Sequence, residues 1–391
     1  MIKIGIECEN LEDPKSRWGV GQVTLNLLKE YADNLEWQKK YKLYLYFKKK
    51  VPDDDIFKIQ NSKFKIRVLG FPSFNIFYHI LMPLRAMADR LDWMFFPAYQ
   101  LPPLYIGKSV VMLTHDVYYE YKYGDLPFRY KLSYGIFTNW AAKFATKILA
   151  ISETSKKEVA RVYKINHDKI FVSYLGVSSH NPQSVIRNSK LGNYILYIGQ
   201  MFPRRHARET ILAFKKVITE HSNILQNIGM LNLKLILVGQ DKYNPPQIKE
   251  LIKNINKELD SEKIIHYDYI EKREDLEKLY AGAKALVYVS DREAFGLPPM
   301  EALSLGVPPV IADNELGHEL FGDYAFYSLK ENNPSEALAK EGSMVDSIAD
   351  AIRRALTDEQ KISKIKSEGF EFEKKYSWKS FAYKFFDNVK K

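Results

Sequence analysis

The chain has 391 residues, 46% apolar and 14% aromatic, enough for two domains of ordinary size with substantial cores. No run approaches the roughly 18 consecutive apolar residues of a spanning helix, and the opening MIKIGIECEN has the pattern of a strand rather than a signal peptide. Cys8 is the single cysteine, which excludes a disulfide framework and a cysteine-built metal site, so a cytoplasmic protein is expected.

The first half alternates two hydrophobic periods. Residues 1–7 read as a strand, 21–32 as a helix, 43–47 and 64–69 as strands, and 74–90 as an apolar helix. Strands follow at 93–96 and 109–114, a helix at 130–145, a strand at 147–151, a helix at 152–163 and a strand at 169–175. A polar stretch, His180 to Asn193, reads as a linker. The second half repeats the alternation: strands at 194–199, 233–239, 264–267, 283–290 and 307–312, and helices at 209–220, 247–259, 273–281, 298–305 and 344–357. Residues 378–389 have aromatic helical spacing. Alternating strands and helices imply parallel, doubly wound sheets with right-handed crossovers.

The net charge of +10 is concentrated in the first half. Residues 1–185 carry 27 Lys and Arg against 18 Asp and Glu, whereas residues 186–391 carry 31 against 30. The basic half interleaves aromatics with cations at 37–50 and 128–147. Such a face fits an anionic membrane, a nucleic acid, a phosphate-bearing acceptor, or plain solvation.

The most informative segment is DREAFGLPPMEALSLGVPPV, residues 291–310. It follows an apolar strand. Pro298 and Pro299 suit a helix start, where a missing N–H costs little, and Gly306 suits its end. Glu293 and Glu301 thus flank a helix N-terminus at the carboxyl edge of a sheet, where ligands of open α/β folds bind. The N–H groups of Gly296 and Leu297, beside Phe295, are placed to meet a phosphate, and the carboxylates to meet sugar or ribose hydroxyls.

Four further places stand at predicted strand ends. Gly19 and Gly21 precede the first helix and permit close backbone approach to a ligand. His115 follows the strand ending at Thr114; Asp116 either orients its ring or caps the next turn. Arg204 and Arg205 follow the strand at 194–199 and offer planar phosphate donors. Gly239 ends the strand at 233–239, and Ile270 lies beyond the one at 264–267. Asp53-Asp54-Asp55 reads as solvated charge, and the eight histidines show no metal-ligand spacing.

The spacing Glu293-x7-Glu301 around Phe295-Gly296-Leu297-Pro298 resembles the signature of retaining GT-B glycosyltransferases, most of all family 4. The resemblance implies two Rossmann-like domains facing a cleft, at 1–185 for the acceptor and 186–375 for the nucleotide-sugar, with a helix at 376–391 crossing back to the first. It implies that Glu293 and His115 contact the transferred sugar and Glu301 the ribose. Arg204 and Arg205, the latter at the family's lysine position, would face the diphosphate, so that no metal or other cofactor is required. Gly19 and Gly21 match the family's N-terminal Gly-x-Gly, which lies against the donor phosphates or the acceptor. The loop holding Ile270 would carry the base through its backbone, which leaves a GDP- or UDP-linked donor open.

His318 stands where the family has proline, and Glu319 is expected to be structural. Configuration would be retained by front-face displacement. The expected reaction moves a hexose, with mannose as the family-level choice, to a lipid-linked or polysaccharide acceptor in surface glycan synthesis, at the cytoplasmic membrane face. A GT-B epimerase is the nearest rival. A nucleic-acid-binding protein leaves the Glu293–Glu301 block without a purpose, so nucleic acid is not an expected partner.

Overall fold

The computed structural model describes residues 1–14, 17, 19–58, 63–124, 126–177, 192–330 and 341–390. The chain divides into two compact units, Met1–Gly176 with Tyr376–Lys391, and Val177–Lys375. Most of the expected linker, and the expected boundary at 185/186, lie outside the described residues.

The first unit is built on seven parallel strands: β1 (Ile2–Glu7), β2 (Tyr41–Phe47), β3 (Phe64–Val68), β4 (Trp93–Phe96), β5 (Ser109–Met112), β6 (Lys147–Ala150) and β7 (Ile170–Val172). Their order is β3-β2-β1-β4-β5-β6-β7. Helices cover both faces, so the central strands are buried along most of their length and read as apolar runs rather than alternating ones. Ile4, Ile6, Leu43, Leu45, Phe95, Val110 and Ile148 are fully buried.

The last helix, Trp378–Asn388, completes this unit. Phe386 packs on Trp37 and Tyr41 with ring centroids 4.9 Å apart in each case, and Phe385 on Phe95 at 4.9 Å. The Tyr41 hydroxyl donates to the Phe386 carbonyl at 3.1 Å, and Lys147 Nζ to that of Asn388 at 2.9 Å.

The second unit holds six parallel strands: β8 (Tyr194–Ile198), β9 (Lys234–Val238), β10 (Ile264–Tyr267), β11 (Leu286–Tyr288), β12 (Pro309–Asp313) and β13 (Phe326–Lys330), in the order β10-β9-β8-β11-β12-β13. Residues 326–330 carry no strand expectation from sequence; they form the edge strand beside β12. Helix Ala207–Glu220 buries Ile211, Phe214 and Val217, a three-to-four-residue spacing that lays one face on the sheet.

Two acidic residues of the first unit are held inside it, and one of them corrects the expectation from sequence. Asp54 is not solvated charge: both its oxygens accept from the buried Arg17 guanidinium, at 2.8 and 2.6 Å. Arg17 also donates from Nε to the Leu11 carbonyl at 2.9 Å, so the aspartate ties the segment after β1 to the one after β2. Glu7, at the carboxyl end of β1, is buried and accepts from the Glu9 N–H at 2.6 Å.

Burial, with the charge of Glu9 added, pushes the Glu7 carboxyl up to about 8. A raised acid pKa means that the folded state holds the proton, and stability is lost as pH rises from the unfolded value through the folded one. Glu7→Gln is therefore expected to stabilise the protein at pH 8 by on the order of 3 kcal/mol more than at pH 5. Urea unfolding at the two pH values tests it, and an equal effect at both would mean Glu7 is ionised in the fold.

Candidate active site

The order of the second sheet reverses direction between β8 and β11. Ligands of open parallel sheets bind outside the carboxyl ends of the strands at such a switch point. After β8 the chain forms one 3-10 turn, Pro203–Arg205, closed by His206 in the left-handed conformation (φ 46°, ψ 38°), and helix Ala207–Glu220 starts there. After β11 a short loop leads to helix Leu297–Ser304.

The two loops meet through charge. Arg205 Nε donates to Glu293 Oε1 at 2.7 Å, with the side chains only 17% and 15% exposed. The Ser290 hydroxyl donates to the same oxygen at 3.2 Å. The Arg205 guanidinium lies 5.4 Å from the Tyr288 ring centroid and 5.8 Å from that of Phe202, and the Arg204 guanidinium 4.9 Å from that of Phe202. Burial alone would raise the Glu293 pKa, but the positive charges of Arg205 and Arg204 outweigh it and hold the carboxyl below its ordinary value. Burial also opposes the Arg205 charge, and Glu293 more than compensates. The loops therefore hold an ionised carboxylate and two guanidinium groups in a poorly hydrated place, where charge acts more strongly than in water.

Helix Leu297–Ser304 begins beside them. Gly296 has φ +92°, a conformation that other residues adopt only with strain, and it turns the chain into the helix. Pro298 and Pro299 have no N–H, and Met300 N–H returns to the Gly296 carbonyl at 3.4 Å. The backbone donors at this end thus come from Gly296 and Leu297. A small open hollow lies here, lined by Tyr288, Glu293, Phe295, Gly296, Asn314 and Leu316 among others.

Glu301, one turn into the helix, does not share the Glu293 partner; it accepts from Arg273 Nη2 at 3.2 Å. His318 Nε2 donates to Asp313 Oδ1 at 2.6 Å, and its ring stacks on Tyr327 at 4.4 Å. Gly239 is required by close packing: a Cβ there would stand 2.0 Å from the Gly199 carbonyl oxygen, so the loops after β8 and β9 leave no room for a side chain. Ile270 packs partly buried against the core of this unit.

The remaining expected residues belong to the first unit. Gly19 caps helix Val20–Asp33 with φ 52°, and Gly21 sits buried in its first turn. His115 is buried at the start of helix His115–Tyr123, with its ring 6.2 Å from that of Tyr119.

Four residues to which sequence reasoning gave no role, His206, Asp291, Glu209 and Arg273, complete this part of the second unit. His206 Nε2 lies 2.6 Å from Asp291 Oδ1, and its Nδ1 3.5 Å from Glu209. Arg273 orients Glu301. The only sequence signal was charge density: Arg204-Arg205-His206 in one loop, Asp291 and Glu293 in the other.

Two Rossmann-like parallel-sheet units with this arrangement define the GT-B class. Residues 182–372, nearly the whole of the second unit, match the family model described as glycosyl transferases group 1, so that unit is a group 1 glycosyltransferase domain. Among curated proteins, it is 26% identical over 249 residues to the O-antigen chain mannosyltransferase RfbU of Salmonella typhimurium, a match covering 63% of this chain and 64% of that protein. It is 29% identical over 245 residues to O-antigen chain mannosyltransferase B of Escherichia coli, covering 60% and 58%. The matches thus span about three fifths of the length of these relatives.

Among solved structures, WaaG, a glycosyltransferase involved in lipopolysaccharide biosynthesis, shares 16% identity at a TM-score of 0.68, covering 100% of this chain and 99% of that one. Anabaena HepE in complex with UDP and glucose gives the same identity, TM-score and coverage. At these identities the likeness is one of fold.

Proposed function

We propose that the protein transfers a hexose, with mannose the favoured choice, from a nucleoside-diphosphate sugar to a lipid-linked or polysaccharide acceptor in surface glycan synthesis, with retention of configuration. The observation that carries this reading is the Arg205–Glu293 pair, with Arg204 beside it, at the switch point of the second sheet. The family match of the second unit supports transfer chemistry, and the two curated mannosyltransferases support the sugar and the glycan.

In this reading Arg204, Arg205 and the N–H groups of Gly296 and Leu297 hold the diphosphate and stabilise it as it leaves. Glu293, with its remaining lone pairs, and His115 hold the sugar. Glu301, oriented by Arg273, accepts from the ribose. Gly239 and the Ile270 loop carry the nucleoside, and the Gly19–Gly21 turn the acceptor or the donor phosphates. The diphosphate would leave on the face the acceptor hydroxyl attacks, so the positioned charges do most of the catalytic work.

Thermal shift against UDP, GDP, dTDP, ADP and their common sugar conjugates tests the donor site: selective stabilisation by one nucleotide is expected, and none by any would overturn the reading. Glu301→Ala is expected to weaken binding of that nucleotide by about 1–3 kcal/mol, the worth of a hydrogen bond to a charged group. Unchanged affinity by calorimetry would remove the ribose role. Conversion of the donor alone into an isomeric sugar nucleotide would replace transfer with epimerisation.

A further inference from the structure

Strands β11 and β12 leave their sheet side by side. Tyr288, the last residue of β11, pairs with Ile311 of β12, and both line the hollow beside Glu293. The loops that follow them complete its wall. Ile311, Phe295, Leu316 and Phe321, all buried, make the lining mostly apolar. The hydroxyls of Ser290 and Tyr288 are turned to Glu293. What remains polar among the lining side chains is Glu293 itself, from one loop, and Asn314, from the other.

These two groups are complementary in chemistry. Asn314 caps helix Glu315–Phe321, its Oδ1 accepting from the Gly317 N–H at 2.8 Å. A Cβ on residue 317 would stand 3.0 Å from the Ala312 carbonyl oxygen and 3.3 Å from Asn314 Oδ1, so glycine lets the cap seat against the strand end. The cap fixes which way the amide points. Its Nδ2 has no partner among the described residues and can only donate. Glu293 can only accept, being ionised. A carboxylate offers about four lone-pair sites, of which Arg205, Ser290 and Tyr288 occupy three. The hollow therefore presents one fixed donor and one unmet acceptor against an apolar lining.

A sugar hydroxyl answers both, donating its proton to Glu293 and accepting from Asn314, while ring C–H groups meet the apolar side chains. A phosphate has no proton to give the carboxylate and is repelled by it. An alkyl chain leaves both polar groups unpaired. We infer that Asn314 is a specificity-determining residue of the donor site, which together with Glu293 brackets one hydroxyl of the hexose being transferred. The inference rests on the transfer reading, in which Glu293 holds the sugar, and extends it to a residue of the neighbouring strand's loop.

The test is calorimetric titration with the sugar conjugates of UDP, GDP, dTDP and ADP, each against its free nucleoside diphosphate. Asn314→Asp keeps an acceptor for the Gly317 N–H, and so the cap, but removes the donor. It is expected to weaken binding of the preferred sugar nucleotide about tenfold, the worth of one hydrogen bond, and to leave binding of the free nucleoside diphosphate unchanged. Asn314→Ser keeps a cap without adding charge and should show the same selective loss. Monodeoxy analogues of the preferred donor identify the hydroxyl. Wild type should bind one of them about tenfold more weakly, and on that one the substitutions should cost nothing further, because the partner is already absent. Equal losses for free nucleotide and sugar nucleotide, no loss for either, or losses that add on every deoxy donor would overturn the assignment while leaving the donor site standing. Wild-type protein that binds no nucleotide and no conjugate would overturn the transfer reading, and this assignment with it.

Discussion

Arg205→Met is expected to lower transfer by about 10²–10³-fold, the cost of losing one preorganised charge at a departing oxyanion, and to destabilise the second unit by roughly 3 kcal/mol. Methionine keeps much of the stem and removes the guanidinium that lies over the Tyr288 and Phe202 rings, so the loss is that of the cation. The stability loss comes from Glu293, left as a nearly buried carboxylate with the hydroxyls of Ser290 and Tyr288 as its neutral donors. Glu293 has its pKa depressed in the fold, so its contribution is present above the unfolded carboxylate value and lost as pH falls through the folded one.

The destabilisation should therefore be full at pH 7 and shrink in acid. Arg205→Met/Glu293→Gln should recover most of the stability, because neither partner is then an unpaired charge, and recover none of the transfer. Arg205→Lys should fold normally yet transfer poorly, since a point charge replaces a planar group set beside two rings. Calorimetric unfolding with single-turnover transfer separates the effects. A methionine variant that binds nucleotide and transfers like wild type would refute the assignment of Arg205 to the diphosphate.

What the sequence discloses follows from which forces are local. Strands such as Lys234–Val238 and Tyr194–Ile198 are apolar runs because both faces of a parallel sheet are covered, and they are readable without knowing their neighbours. Helix His115–Tyr123 was not readable: HDVYYEYKY has no apolar period, and the helix exists because tertiary packing holds it. Helix Glu359–Glu368, half of it charged and with only Ile365 well buried, is unreadable for the same reason. Edge strand Phe326–Lys330 is defined by its pairing with β12, a relation no window of sequence contains.

The site divides in the same way. Residue types and spacing marked Glu293, Glu301, Arg204 and Arg205 as candidates, but not that Arg205 and Glu293 are partners 88 positions apart. Asp54 shows the reverse error: a triple aspartate after lysines looks solvated, and its partner Arg17 lies 37 positions away. Left-handed backbone is usually announced by glycine, so a histidine at such a position is silent in the sequence.

That histidine carries the second large expectation. His206 stands at φ 46° with its side chain mostly buried between Asp291 and Glu209, whose other neighbour is Arg208 at 3.8 Å. Burial by itself would depress the imidazolium, but hydrogen bonds and charge from Asp291 and Glu209 prevail and raise its pKa to about 9. The folded value lies above the unfolded one, so this stabilisation is complete below pH 6.5 and is lost as pH rises through about 9. Across that window the difference between wild type and His206→Ala is expected to fall by up to about 3 kcal/mol.

His206→Gly loses the same ion pairs but relieves the left-handed backbone, so it should be about 1 kcal/mol more stable than the alanine variant at every pH. The consequence for chemistry runs through Asp291, whose N–H donates to the Arg204 carbonyl at 3.0 Å and whose loop carries Glu293. With the cation gone, Glu293 and Arg205 are held by fewer ties. Turnover at saturating donor should drop by about tenfold in both variants, on the order of 1.4 kcal/mol of positioning, while nucleotide affinity changes little. Denaturant midpoints from pH 6 to 10, with kcat and KM measured separately, decide the matter. A stability difference independent of pH would show that His206 is neutral in the fold, and loss in KM alone would show that it acts on donor binding rather than on the register of the two loops.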